Sequence, residues 1–123
     1  MVSQEERLWG MLAHLLALLG GTWIAPLVVY LAYKDRSRFV AFHALQSFLF
    51  QLLMLAVVVG LGSVTAVVGF LTFGLGLIFF LPALLLVGVA ELAYVTYAAI
   101  KAHNGEPFEY TLVGKVARRI VGL

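Results

Sequence analysis

Residues 34–51 read KDRSRFVAFHALQSFLFQ: Lys34, Asp35, Arg36 and Arg38 stand directly before an apolar run that nevertheless holds His43, Gln46, Ser47 and Gln51. Beyond these charges no Asp, Glu, Lys or Arg occurs from Phe39 to Ala90. About 20 apolar residues cross a bilayer as a helix, so this run suffices for two crossings and a turn but not for three. The turn is expected in the glycine-rich segment 60–76, which places spans near 39–61 and 76–101. Pro82 then falls in the opening turns of the second span, where a missing amide costs least.

Composition agrees. Of 123 residues, 63% are hydrophobic and 11% charged, against roughly a quarter charged in soluble domains. The chain reads as a single integral membrane domain, 1–123, of the all-α class. The amino-terminal MVSQEER is acidic where a secretory leader needs positive charge, so the first apolar run is expected to stay in the mature protein. Without cysteine there is no thiolate nucleophile, disulfide framework or Cys-based metal site. The net charge of +2 comes from basic residues beside apolar spans, which points to anionic lipid headgroups and away from nucleic acid.

The run Leu8–Tyr33 is one tilted helix or two short helices broken at GGTWIAP. The break is preferred: Gly20-Gly21 stops a helix, Thr22 offers a cap and Pro26 suits a first turn. A hairpin of segments 6–19 and 23–34 also puts Trp9, Tyr30 and Tyr33 at one interface and Trp23 at the other. Four transmembrane segments result, with the amino terminus, the 34–38 loop and the tail on the side that holds every Lys and Arg, the cytoplasmic face of a bacterial membrane. A single crossing would move only the amino terminus. After a turn at HNGEP, residues 111–122 read as an amphipathic interfacial helix, with Leu112, Val113, Val116, Ile120 and Leu123 opposite Lys115, Arg118 and Arg119. These three cations, with Lys34, Arg36 and Arg38, are the expected contacts to the membrane surface.

At 100° per residue His43, Gln46, Ser47 and Gln51 form one stripe. His14 and Glu91 lie at comparable depth, with Tyr94 one turn from Glu91. A carboxylate near the bilayer centre costs about 2.5–3.5 kcal/mol, so Glu91 must be neutralised, paired or wetted. Its expected partner is His43 or His14. The plainer reading is that His, Gln and Ser serve as interhelical hydrogen-bond glue, each worth about 0.6–2 kcal/mol. His14, His43 and Glu91 would make an acceptable zinc set, but none has helical metal-motif spacing, so neither metal nor cofactor is expected. No nucleophile elbow or carboxylate pair suggests an enzyme.

ERLWGMLAHLLALLGG, IAPLVVYLAYKDRSRFVAFHALQSFLFQ and AAIKAHNGEPFEY together resemble short bacterial membrane proteins related to Tic-twenty, the hydrophobic subunit of the chloroplast inner-envelope import machinery. The likeness is most specific at Ala13-His14, at the 34–51 block and at NGEPFEY. It departs at Ser47, at Leu49, where Asn is usual, and at Thr111, where Pro is usual. The resemblance implies a four-helix membrane bundle and, for the chloroplast member, a place in a protein-conducting complex. The expected function is a non-enzymatic subunit or scaffold with a protein partner or further copies of itself. The alternative is a small oligomeric channel or carrier lined by His43, Gln46, Gln51 and Glu91.

Overall fold

The computed structural model describes residues 2–123, with the backbone path alone at residues 20 and 21. The described elements are all helical: α1 Gln4–Leu16, a π-helical turn Ala17–Gly21, α2 Ile24–Tyr33, α3 Arg38–Leu71, α4 Leu77–His103 and α5 Val113–Val121. Among the described residues, only α3 and α4 are both long and apolar enough to cross a membrane.

Local chemistry sets the helix starts. Ser3 caps α1 by accepting the Glu6 N–H at 3.2 Å, while the Glu6 carboxylate accepts the Ser3 N–H at 2.8 Å, a reciprocal capping box. The same carboxylate accepts the Ser37 hydroxyl proton at 2.6 Å, and Ser37 in turn accepts the Val40 N–H at the start of α3. One acidic side chain thus ties the first turn of α1 to the first turn of α3. Thr22 does not cap α2. It takes a positive φ of 44°, its N–H closes the π turn on Ala17, and Trp23 occupies the cap position of α2 without a side-chain bond.

The α3–α4 turn lies later than glycine content suggests. α3 continues through Gly60 and Gly62 to Leu71, because in an apolar medium a helix satisfies every backbone group and an isolated glycine does not outweigh that. The chain reverses where Thr72 can manage the loose ends: its hydroxyl donates to Val68 C=O at 2.6 Å and accepts the Gly76 N–H at 2.8 Å. Phe73 and Gly74 then take φ values of 53° and 90°; the second is a conformation that glycine adopts without penalty.

Packing divides the molecule in two. In the head, α1, α2, α3 as far as Phe50, the end of α4 and α5 enclose Ala13, Val29, Val40, Phe42, Ala44, Val95, Ala98, Tyr110 and Ala117. α4 presents Val95, Ala98, Ala99 and Ala102 as its buried face; these small side chains let α1 approach closely. Beyond Gln51 on α3 and before Tyr94 on α4, the two helices leave their side chains exposed or half-buried, Thr65 being the buried exception. The α1–α2 hairpin covers the head alone, since Trp23 at its tip packs on Phe48 with ring centroids 6.3 Å apart. Of the four expected segments, the first two are the short hairpin α1–α2, and α3 and α4 are the pair of membrane-spanning length.

Candidate functional site

A polar cluster occupies the centre of the head, at a place where backbone geometry fixes the direction of every hydrogen bond. Gln46 sets the pattern. The Tyr110 N–H can only donate and the Phe108 C=O can only accept, so Gln46 Oε1 takes the former at 3.0 Å and Gln46 Nε2 gives to the latter at 2.7 Å. The second proton of that amide points to His43 Nδ1 at 3.3 Å. His43 Nδ1 is consequently an acceptor, which makes His14 Nε2, 3.0 Å away, a donor. His14 Nδ1 then accepts from the Tyr110 hydroxyl at 3.0 Å. Protons thus run in one sense, Tyr110 to His14 to His43, and the tautomers follow from the amide and were assigned on that basis.

The cluster joins three parts of the chain. α1 supplies His14, α3 supplies His43 and Gln46, and the strap between α4 and α5 supplies Tyr110; Ser47 adds a hydroxyl donated to Ala13 C=O at 2.8 Å. Aromatic rings seal it: Phe39 and Phe42 meet His43 at 4.6 and 5.3 Å, and Phe50 stacks on Tyr110 at 4.4 Å. Burial pushes the Tyr110 phenol well above its usual range, which keeps it a donor. His43 Nε2 is buried without a partner; as the protonated nitrogen of this tautomer it is the open end of the chain.

The strap is pinned from outside as well. Arg118 donates to Glu109 at 2.6 Å and stacks over Phe42 at 5.0 Å, and Lys101 pairs with Glu106 at 3.1 Å. Gly114 lies so close to Glu109 and to Gln46 Oε1, 3.1 Å from where a Cβ would stand, that a side chain there would force Glu109 to shift.

His14, His43, Gln46 and Ser47 are therefore brought together, whereas Gln51 and Glu91 are not part of the cluster and Tyr94 joins it only by ring packing, edge-on to Tyr110 with centroids 4.9 Å apart. Gln51 is half-buried with Nε2 unpartnered. Glu91 bonds neither histidine; it lines a groove of about 280 Å³ between α3 and α4 with Phe50, Met54, Val57, Val87, Ala90 and Tyr94. The reason is register: α4 meets α1 through its alanines, and Tyr110 fills the position beside His14 that a carboxylate was expected to take. The Tyr94 hydroxyl accepts the Thr111 N–H at 3.0 Å and lies 3.1 Å from Thr111 Oγ1. His43 and Gln46, enclosed in the head, are not among the residues that line the groove with Glu91.

Tyr110 is the member that helical periodicity missed, since it lies in a non-helical strap. Its only sequence signal was the distinctive NGEPFEY block. Among the surface cations, Lys34, Arg36, Arg38, Lys115 and Arg119 are exposed, while Arg118 turns inward to Glu109. The tail helix is split accordingly: Val113, Gly114, Ala117 and Val121 face the head, while Leu112, Val116, Ile120 and Leu123 are the exposed stripe. Among the described residues no group of three His, Cys, Asp or Glu could hold a metal.

No curated protein and no solved structure matches the chain. A family model does match, over residues 5–117, and it describes magnetosome magnetite crystal formation proteins. That match overturns the Tic-twenty resemblance, whose three most specific blocks are the ones that build the buried cluster and its strap. From residue 5 to residue 117, α1 through α5, the chain belongs to the magnetosome magnetite crystal formation protein family, MamF/MmsF.

Proposed function

We propose that the protein is a non-enzymatic component of the magnetosome membrane that takes part in magnetite crystal formation. The family match across nearly the whole chain carries this reading. The cluster supports a structural role, because its donors and acceptors, His43 Nε2 apart, are engaged with one another and with backbone groups, holding the strap and α5 against α1 and α3.

The chain crosses the bilayer twice. At 1.5 Å per residue the 13 residues of α1 and the 10 of α2 are about 20 and 15 Å long, well short of a hydrocarbon core of roughly 30 Å. The 34 residues of α3 make about 51 Å. The α3–α4 hairpin spans, tilted to accommodate its excess length, and the head rests at the cytoplasmic leaflet with both termini on that side. Ile24, Val28 and Leu31 of α2 and the exposed stripe of α5 flank one face of α3, where Tyr30 and Val121 share the Phe42–Leu45–Ala117 cluster. Those stripes lie in the leaflet, and Lys115 and Arg119 meet anionic headgroups.

The test is genetic. Deletion in magnetosome-forming cells should change the size or number of magnetite crystals seen by electron microscopy, and the wild-type chain should restore them. Crystals indistinguishable from the parent strain would overturn the proposal. A tagged chain should fractionate with magnetosome membranes.

A further inference from the structure

The groove at Glu91 is the one place in the hairpin where a charged side chain stands among apolar neighbours. By helix rise it lies about 21 Å from Leu77 and about 15 Å from Lys101 along α4. Glu91 makes no hydrogen bond and no ion pair among the described residues. The nearest polar group on its face, the Tyr94 hydroxyl, is engaged by Thr111. The remaining walls, including Met54, Val57 and Val87, are apolar.

We infer that this groove is a docking site for a transmembrane helix of another protein that carries a Lys or Arg at the depth of Glu91. Acidic side chains in membrane helices pair with cations on neighbouring helices, because each charge alone is costly in hydrocarbon. A Lys or Arg side chain suits both parts of the groove, its methylene stem lying on the apolar walls and its charged head reaching the carboxylate. A second copy in the same orientation brings no such cation: every Lys and Arg of the chain lies at or before Arg38 or at or after Lys101, and Lys101 is paired with Glu106. A metal ion would find one carboxylate and no further ligand set.

The inference rests on the hairpin spanning the lipid, which is tested separately: in vesicles with the cytoplasmic face outward, reaction of a Phe73→Cys chain with a membrane-impermeant maleimide added outside would strike the two-crossing reading itself. The docking site is tested with full-length protein in phosphatidylcholine vesicles, labelled with a donor dye at Ser3→Cys. The probes are acceptor-labelled Leu/Ala transmembrane peptides bearing one Lys, Gln or Glu at the matching depth. The Lys peptide should bind the otherwise wild-type chain about tenfold more tightly than the Gln peptide by energy transfer. Glu91→Gln should abolish the difference, and Glu91→Lys should bind the Glu peptide in preference to the Lys peptide. Equal binding of the Lys and Gln peptides, or a preference that survives Glu91→Gln, would overturn the inference, as would self-association that displaces the Lys peptide.

Discussion

At the scale of single residues, the buried cluster shows how one amide dictates the behaviour of two imidazoles. Gln46 is fixed by backbone groups that cannot exchange roles, so the orientation of its Nε2 protons sets the tautomer of His43 and, through it, that of His14. Tyr110→Phe removes the donor to His14 Nδ1 and leaves a buried acceptor unsatisfied, which costs about 1–3 kcal/mol; reversible unfolding in detergent should report that loss with little change in helix content. Gln46→Leu leaves both the Tyr110 N–H and the Phe108 C=O without their partner. Its expected signature is local: faster proteolysis within 104–112 at unchanged helicity. Gly114→Ala should give the same signature by another route, since a Cβ there collides with Glu109 and pulls it from Arg118.

At the scale of elements, length decides what each helix can do. Arg38–Leu71 is continuous and much longer than the hydrocarbon layer, while α1 and α2 are each shorter than it. A cysteine at Thr22 should therefore resist a membrane-impermeant reagent added from the non-cytoplasmic side; four crossings would expose it there. The helical class, the apolar hairpin and the break near Gly20-Gly21 were all legible in composition and in the placement of charge. The end of α3 was not, because glycine content marks where a helix is permitted to stop, while Thr72 and the positive φ values of Phe73 and Gly74 mark where it does. Nor could the two apolar faces of α5 be separated from sequence, since Val113 and Val116 are alike until α3 covers one of them.

At the scale of the whole molecule, stability is concentrated at one end. Phe42 is fully buried where α3, α5 and the strap-pinning Arg118 meet, and Phe42→Ala should destabilise the head by about 3–5 kcal/mol, measured as a lowered unfolding midpoint. A comparable truncation in the exposed hairpin, such as Val59→Ala, should leave that midpoint nearly unchanged. Convergence of His14 with His43 was readable from matched depths below the flanking charges. The pairing of Glu91 was not, because depth along a helix says nothing about which neighbour the helix turns toward, and the strap that supplies Tyr110 has no period to follow.

The bend that closes the hairpin is made of Phe70, Leu71, Thr72, Phe73, Gly74 and Leu75, with Phe73 98% exposed and no acid or base among them. On the proposed two-crossing topology, the far side of the bilayer therefore meets apolar side chains at this bend and no acidic or basic one.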